Sequence, residues 1–178
     1  MEHADIVRKN NEISKRMLVF MALSAIPILF IFAFYQDDPQ SPLLKEIASF
    51  GADWPALMSA KNQLMSKVMD IYCKTAPIFA LLFVLTSRNC LTLKTITPLS
   101  EKIRSGILYS LLYAVIIYIF IFCNIEMTTK RKPLKIVAEN DYFLTLFYVS
   151  IYSGVFVFSV FFLWIIIGIY REYKENIS

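Results

Sequence analysis

Four stretches of the chain stay apolar long enough to cross a bilayer: Met17 to Tyr35, Val68 to Thr86, Gly106 to Asn124, and the 29 uncharged residues from Tyr142 to Tyr170. A membrane-spanning helix needs about 20 apolar residues to match a hydrocarbon core about 30 Å thick. The chain's 178 residues therefore hold four such helices with short connections and leave no room for a separate soluble domain. The pattern predicts an all-α integral membrane protein, an antiparallel bundle of four transmembrane helices. Residues 1–178 would form a single membrane domain with spans at about 17–35, 68–86, 106–124 and 145–169. At about 1.5 Å per residue the fourth run reaches about 43 Å, so it must tilt or begin outside the core.

The polar interruptions are as informative as the runs. In the first connection, Ser41 and Pro42 read as the start of a short helix, Leu43, Leu44, Ile47 and Phe50 as its apolar face, and Gly51 as its stop. That face could lie along the membrane surface. Thr97 and Pro98 suggest that the third helix starts before its apolar part, with Glu101 near its positive end. Trp54, Tyr72, Tyr142, Trp164 and Tyr170 fall near span ends, as an aromatic belt would.

Where the second run begins, Asp70 and Lys74 stand at the i, i+4 spacing that lets side chains meet on one helix face. Pro77 follows, removing the donor to the carbonyl of Cys73, so a bend is expected there. Ionisable residues inside a span are costly and are functional candidates by default. Asp70 and Lys74 are read either as a structural interfacial pair, with Lys74 snorkelling outward, or as an element recognised by a partner.

Composition agrees with the pattern: 57% of residues are hydrophobic, and the mean hydropathy is +0.56, too apolar for an ordinary soluble domain. Charge sets the orientation. Ten basic residues lie in the N-terminal arm, the 87–105 link and the C-terminal tail, against seven in the 36–67 and 125–144 loops. The positive-inside rule then puts both termini and the link in the cytoplasm and the two loops in the periplasm. The first apolar run ends without a clear small-x-small cleavage site, so it reads as an uncleaved helix rather than a signal peptide.

Lipid gives helices no hydrophobic reason to associate, so small residues mark close packing. The third span carries Gly106, Ser110 and Ala114, and the fourth carries Ser150 and Gly154, each set at four-residue spacing. Ala114 and Gly154 could meet near the midplane; otherwise these faces are open to a helix of another protein, or are chance. Phe156, about 200° round the helix from Gly154, falls on the opposite face and is expected to tolerate Leu.

Enzymatic chemistry finds little support. His3 is the only histidine, and the four glycines are too scattered for a phosphate-cradling loop. No catalytic, cofactor or metal residues are assigned. Cys73, Cys90 and Cys123 lack CxxC spacing; Cys73 and Cys123 read as separate buried thiols, with a disulfide as the alternative. The basic run Lys130-Arg131-Lys132 suits a solvated patch or anionic headgroups better than nucleic acid.

The block from Leu64 to Pro77, LMSKVMDIYCKTAP, closely resembles the opening of the second membrane helix in the immunity proteins of colicin A-type pore-forming colicins. A second likeness is Glu126-Met127-Thr128-Thr129 with Pro133 and Asn140-Asp141 downstream; here Lys130 and Arg131 replace the glycine that follows the Thr pair in that family. The resemblance implies the same orientation and an antagonist in the bacterial inner membrane. It would bind the membrane-inserting part of a pore-forming colicin, including its hydrophobic helical hairpin, and keep the channel from opening. Asp70, Lys74, Pro77, Gly106, Ser110, Ala114, Ser150 and Gly154 are the candidate partner-binding residues. Competing readings are a small homo-oligomeric transporter or channel subunit, which would need polar groups along a midplane path, and a scaffold within a larger membrane complex.

Overall fold

The computed structural model describes residues 2–87, 99–128 and 132–175. Its elements in order are α1 (Glu2–Asp37), α2 (Pro42–Phe50), β1 (Leu57–Met58), α3 (Gln63–Cys73), α4 (Ala76–Ser87), α5 (Leu99–Phe122), β2 (Ile125–Glu126), α6 (Lys132–Glu139) and α7 (Asp141–Glu175). The four apolar runs lie in four helical stretches long and apolar enough to cross a membrane: Asn10–Asp37, Gln63–Ser87, Ser100–Phe122 and Asp141–Lys174. Leu18, Leu23, Phe30, Leu85, Leu108 and Leu111 are all exposed on these helices. So much apolar surface would be an aggregation hazard in water, and it suits helices whose outer faces meet hydrocarbon.

Sequence chemistry explains most of the boundaries. α1 runs through the N-terminal arm because Glu, Arg and Lys favour helix, and Glu12 and Arg16 form an i, i+4 ion pair at 2.6 Å. α2 has Pro42 in its first turn, where the missing N–H costs nothing. It ends at Gly51, where an added Cβ would lie 2.6 Å from Ile71 Cδ1. α5 begins at Leu99 with Glu101 in its first turn; Thr97 and Pro98 lie outside the described residues. α7 is capped by Asn140, whose Oδ1 accepts from the N–H groups of Tyr142 at 3.0 Å and Phe143 at 3.2 Å.

The second apolar run is broken where a bend is expected. α3 stops at Cys73, Lys74 and Thr75 form a turn, and α4 starts at Ala76 with Pro77 in its first turn. Without a Pro77 N–H the carbonyl of Cys73 has no i+4 donor. Thr75 closes the end of α3 one residue earlier: its N–H and its hydroxyl both donate to the Tyr72 carbonyl, at 2.9 and 2.7 Å. The first apolar run holds its own Pro27 inside α1. One residue from the carbonyl that Pro27 deprives of its donor, the Ser24 carbonyl accepts from the Tyr72 hydroxyl at 2.6 Å. The two irregular points thus face each other.

α7 is the centre of the bundle and packs against α1, α3, α4 and α5. Its stripe Leu144, Tyr148, Tyr152, Phe156 and Val160 is wholly buried, the spacing of one helix face. Phe156 sits with its ring 6.0 Å from Phe20 and 6.2 Å from Phe83. The expectation of a tolerant face there is wrong, because helical geometry gives the angle between Gly154 and Phe156 but not which of them faces the core. The aromatic belt is corrected in the same way. Trp54, Tyr142 and Tyr170 are exposed, but Tyr72 turns inward and stacks on Tyr152 at 5.5 Å, and Trp164 packs against Phe83 at 6.1 Å.

α5 stands apart, packing chiefly along α7. Gly106 is its point of closest approach: an added Cβ would lie 2.7 Å from Ile169 Cδ1 and 3.2 Å from Ile165 Cγ2. Further along, the hydroxyls of Tyr109 and Tyr113 reach the Phe158 carbonyl at 3.1 Å and Ser159 Oγ at 2.9 Å.

Candidate functional site

At the end of the bundle where α1 finishes and α7 begins, the two long connections are joined into one polar cap. β1 and β2 pair in parallel, with Leu57 opposite Ile125 and Met58 opposite Glu126. Around this ladder the Ala56 N–H donates to Asn124 Oδ1 at 3.4 Å and the Ala60 N–H to Thr128 Oγ1 at 3.2 Å. Ser59 Oγ donates to the Ala138 carbonyl at 2.7 Å and Lys61 Nζ to the Glu139 carbonyl at 2.6 Å, so the open end of α6 is closed by the first connection. Asn62 and Asp141 tie the helix ends together. Asn62 Nδ2 donates to Asp141 Oδ1 at 2.5 Å, Tyr35 Oη to Asn62 Oδ1 at 3.2 Å, and Gln36 Nε2 to Asp141 Oδ2 at 3.0 Å.

Beneath the cap lies the charged pair. Asp70 is fully buried. Its Oδ2 accepts from Lys74 Nζ at 2.7 Å and its Oδ1 from the Leu57 N–H at 3.2 Å. Lys74 is 9% exposed, and it does not snorkel to solvent: its ammonium also donates to the Pro55 carbonyl. Lys67, one turn before Asp70, donates to the Trp54 carbonyl at 2.6 Å, and the Tyr148 hydroxyl donates to the Leu57 carbonyl at 2.5 Å. The segment from Trp54 to Leu57 has little regular structure of its own, so its buried backbone groups must find partners elsewhere. Two lysines, an aspartate and a tyrosine supply them.

The remaining candidate residues are spread over the molecule. Pro77 sits at the α3–α4 break. Gly106 is buried in the α5–α7 contact, Ser110 is half-buried with its hydroxyl on the Gly106 carbonyl at 2.7 Å, and Ala114 is exposed. Ser150 is exposed, and nothing lies within 4 Å of a Cβ added at Gly154. Of the alternatives open for these faces, a contact between Ala114 and Gly154 is not the one observed, and the notch at Gly154 stays open. Cys73 is a buried free thiol facing the Tyr148 carbonyl at 3.4 Å, and Cys123 is free and half-buried. Among the described residues no cluster of His, Cys, Asp and Glu could hold a metal ion.

Reading residue by residue missed most of the cap. Asn62, Ser59 and Lys61 carry no motif, and their partners are 78 or 79 residues away for Lys61, Asn62 and Ser59 alike. The only available signal was Asn140-Asp141 before the last apolar run, a helix-start pattern.

A helical protein with four helices long and apolar enough to cross a membrane, and with a polar cap locked onto a buried ion pair, is thus the class that the geometry defines. Comparison with known proteins gives the family. The colicin immunity protein family matches residues 40–176, and the chain belongs to it. It is 38% identical over 156 residues to the colicin-A immunity protein of Citrobacter freundii, covering 88% of each chain. It is 30% identical over 149 residues to the colicin-B immunity protein of Escherichia coli, covering 83% of this chain and 84% of the relative. No solved structure gives a significant match.

Proposed function

We propose that this protein protects a colicin-producing bacterium by binding the pore-forming domain of a colicin A-type colicin within the inner membrane, so that the channel cannot open. In this reading the four long helices cross the membrane as an antiparallel bundle with both termini in the cytoplasm. The cap faces the periplasm, from which the toxin arrives. The observation that carries the reading is family membership over 40–176 combined with four apolar helices, three of which, Gln63–Ser87, Ser100–Phe122 and Asp141–Lys174, lie within that range. An antagonist of this kind needs a complementary surface and no catalysis or cofactor. Small-residue notches such as Gly154 would receive the toxin's hydrophobic helical hairpin, and the cap and helix ends would reject the wrong toxin.

The transporter reading gains nothing from the geometry, because the charged groups in the second span are closed on Leu57 and Pro55 rather than lining a path. The test is survival of sensitive cells expressing the chain against a panel of purified pore-forming colicins. Protection against one related group supports the proposal; sensitivity to every member overturns it.

Orientation has its own test. Single cysteines placed at Lys45 and at Ser178, in a chain without the three native ones, should differ in whole cells. An impermeant thiol reagent should label position 45 and spare position 178. The reverse pattern would invert the topology.

A further inference from the structure

Because α5 leans on α7 with little other support, a cleft of about 390 Å³ opens between them at the end remote from the cap. Its floor is apolar, with Phe161, Trp164, Ile165 and Ile169, and Gly106 and Gly168 also line it. Its mouth carries both signs of charge. Lys102 Nζ and Glu172 Oε2 pair at 2.6 Å across the two helices, each side chain 18% exposed, and Glu101 beside them is exposed.

We infer that this cleft is a binding site for a zwitterionic phospholipid with a primary ammonium headgroup, a phosphatidylethanolamine. An ammonium group has three donors and Lys102 spends one on Glu172, leaving others for a lipid phosphate. The Glu101 carboxylate would accept the lipid's own ammonium. A purely anionic headgroup would bring its negative charge against Glu101 and Glu172 without that compensation. A choline headgroup carries no N–H to donate. An acyl chain would fill the floor, whose volume is in the range of sites that enclose small ligands. The inference rests on the reading that the long helices cross a bilayer.

The chain's two tryptophans make the test direct: Trp164 lines the cleft, and Trp54 lies in the first connection. The full chain carrying Trp54→Phe is placed in phosphatidylcholine vesicles with increasing amounts of phosphatidylethanolamine or phosphatidylglycerol brominated on the acyl chains. Quenching of Trp164 should reach half its maximum at about threefold less bromo-phosphatidylethanolamine than bromo-phosphatidylglycerol, the size of one surface charge contact. Glu101→Gln should erase the difference, and Ser105→Phe, which puts a ring into the mouth, should weaken quenching by both lipids. In the Trp164→Phe chain, Trp54 should show no headgroup preference. Equal quenching of Trp164 by the two lipids, or a preference for phosphatidylglycerol, overturns the site. Absence of quenching by any bromolipid would instead remove the bilayer reading on which it rests.

Discussion

Asp70→Asn should lower both the amount of protein inserted in the membrane and the protection it gives, with a cost to the folded chain of about 3 to 5 kcal/mol. Asn can still accept the Leu57 N–H, but the Lys74 ammonium is left without its counter-charge at a site where it is 9% exposed. In surroundings of low dielectric an unpaired charge costs far more than the ion pair contributes, because the desolvation is no longer offset. Adding Lys74→Met to Asp70→Asn should therefore recover much of the lost protein. Recovery should be partial, because the Pro55 carbonyl then loses its donor too. Immunoblots of the membrane fraction and thermal unfolding in detergent measure the structural effect, and colicin challenge measures protection. Recovered levels with protection still absent would assign the pair a role in recognition. Asp70→Asn with unchanged level and protection would remove the pair from the account.

Gly154→Leu should do the opposite: leave level and stability at those of the wild type and reduce protection by about tenfold in tolerated toxin, equivalent to about 1.4 kcal/mol at a helix contact. Nothing lies within 4 Å of an added Cβ at that position, so a loss of protection at wild-type level and stability would point to a helix that packs there in the complex. Ala33→Leu is the matched control, a small residue exposed on α1 that ends with the same side chain. Phe156→Leu cannot serve, because that ring is buried against Phe20 and Phe83 and its truncation weakens the fold itself. Equal protection by Gly154→Leu and Ala33→Leu chains would take the notch out of the toxin interface.

What the sequence reveals and what it hides divide along the range of the interactions. Local rules suffice for the apolar helices, for Pro42 and Gly51 bounding α2, and for Asp70 meeting Lys74, because each depends on residues within about one or two turns. The break at Lys74 and Thr75 was expected as a bend. Pro77 shows that a hydrogen bond is missing, but not that Thr75 and the neighbouring connection satisfy enough groups to allow a full interruption. Tertiary facts were out of reach. A two-residue ladder between Leu57–Met58 and Ile125–Glu126 has no periodicity to detect. The destination of the Lys74 ammonium depends on a carbonyl at Pro55 that no spacing rule selects. The same holds for Tyr72, which looks like an interfacial aromatic and proves to donate to the Ser24 carbonyl of α1, one residue from the carbonyl that Pro27 leaves without a donor. Small-residue spacing picked out Gly106 and Gly154 alike, yet one is packed by its own chain and the other is left open.

We propose that neutralisation takes place in the bilayer, after the toxin has crossed the outer membrane. The most direct measurement delivers the isolated pore-forming domain to the periplasm, bypassing receptor binding and import, and follows the membrane potential of cells with and without this chain. Cells that lack the chain should depolarise rapidly, and those that carry it should maintain their potential. Depolarisation that proceeds undiminished in cells carrying the wild-type chain would contradict the proposal, whatever survival those cells show against the whole toxin.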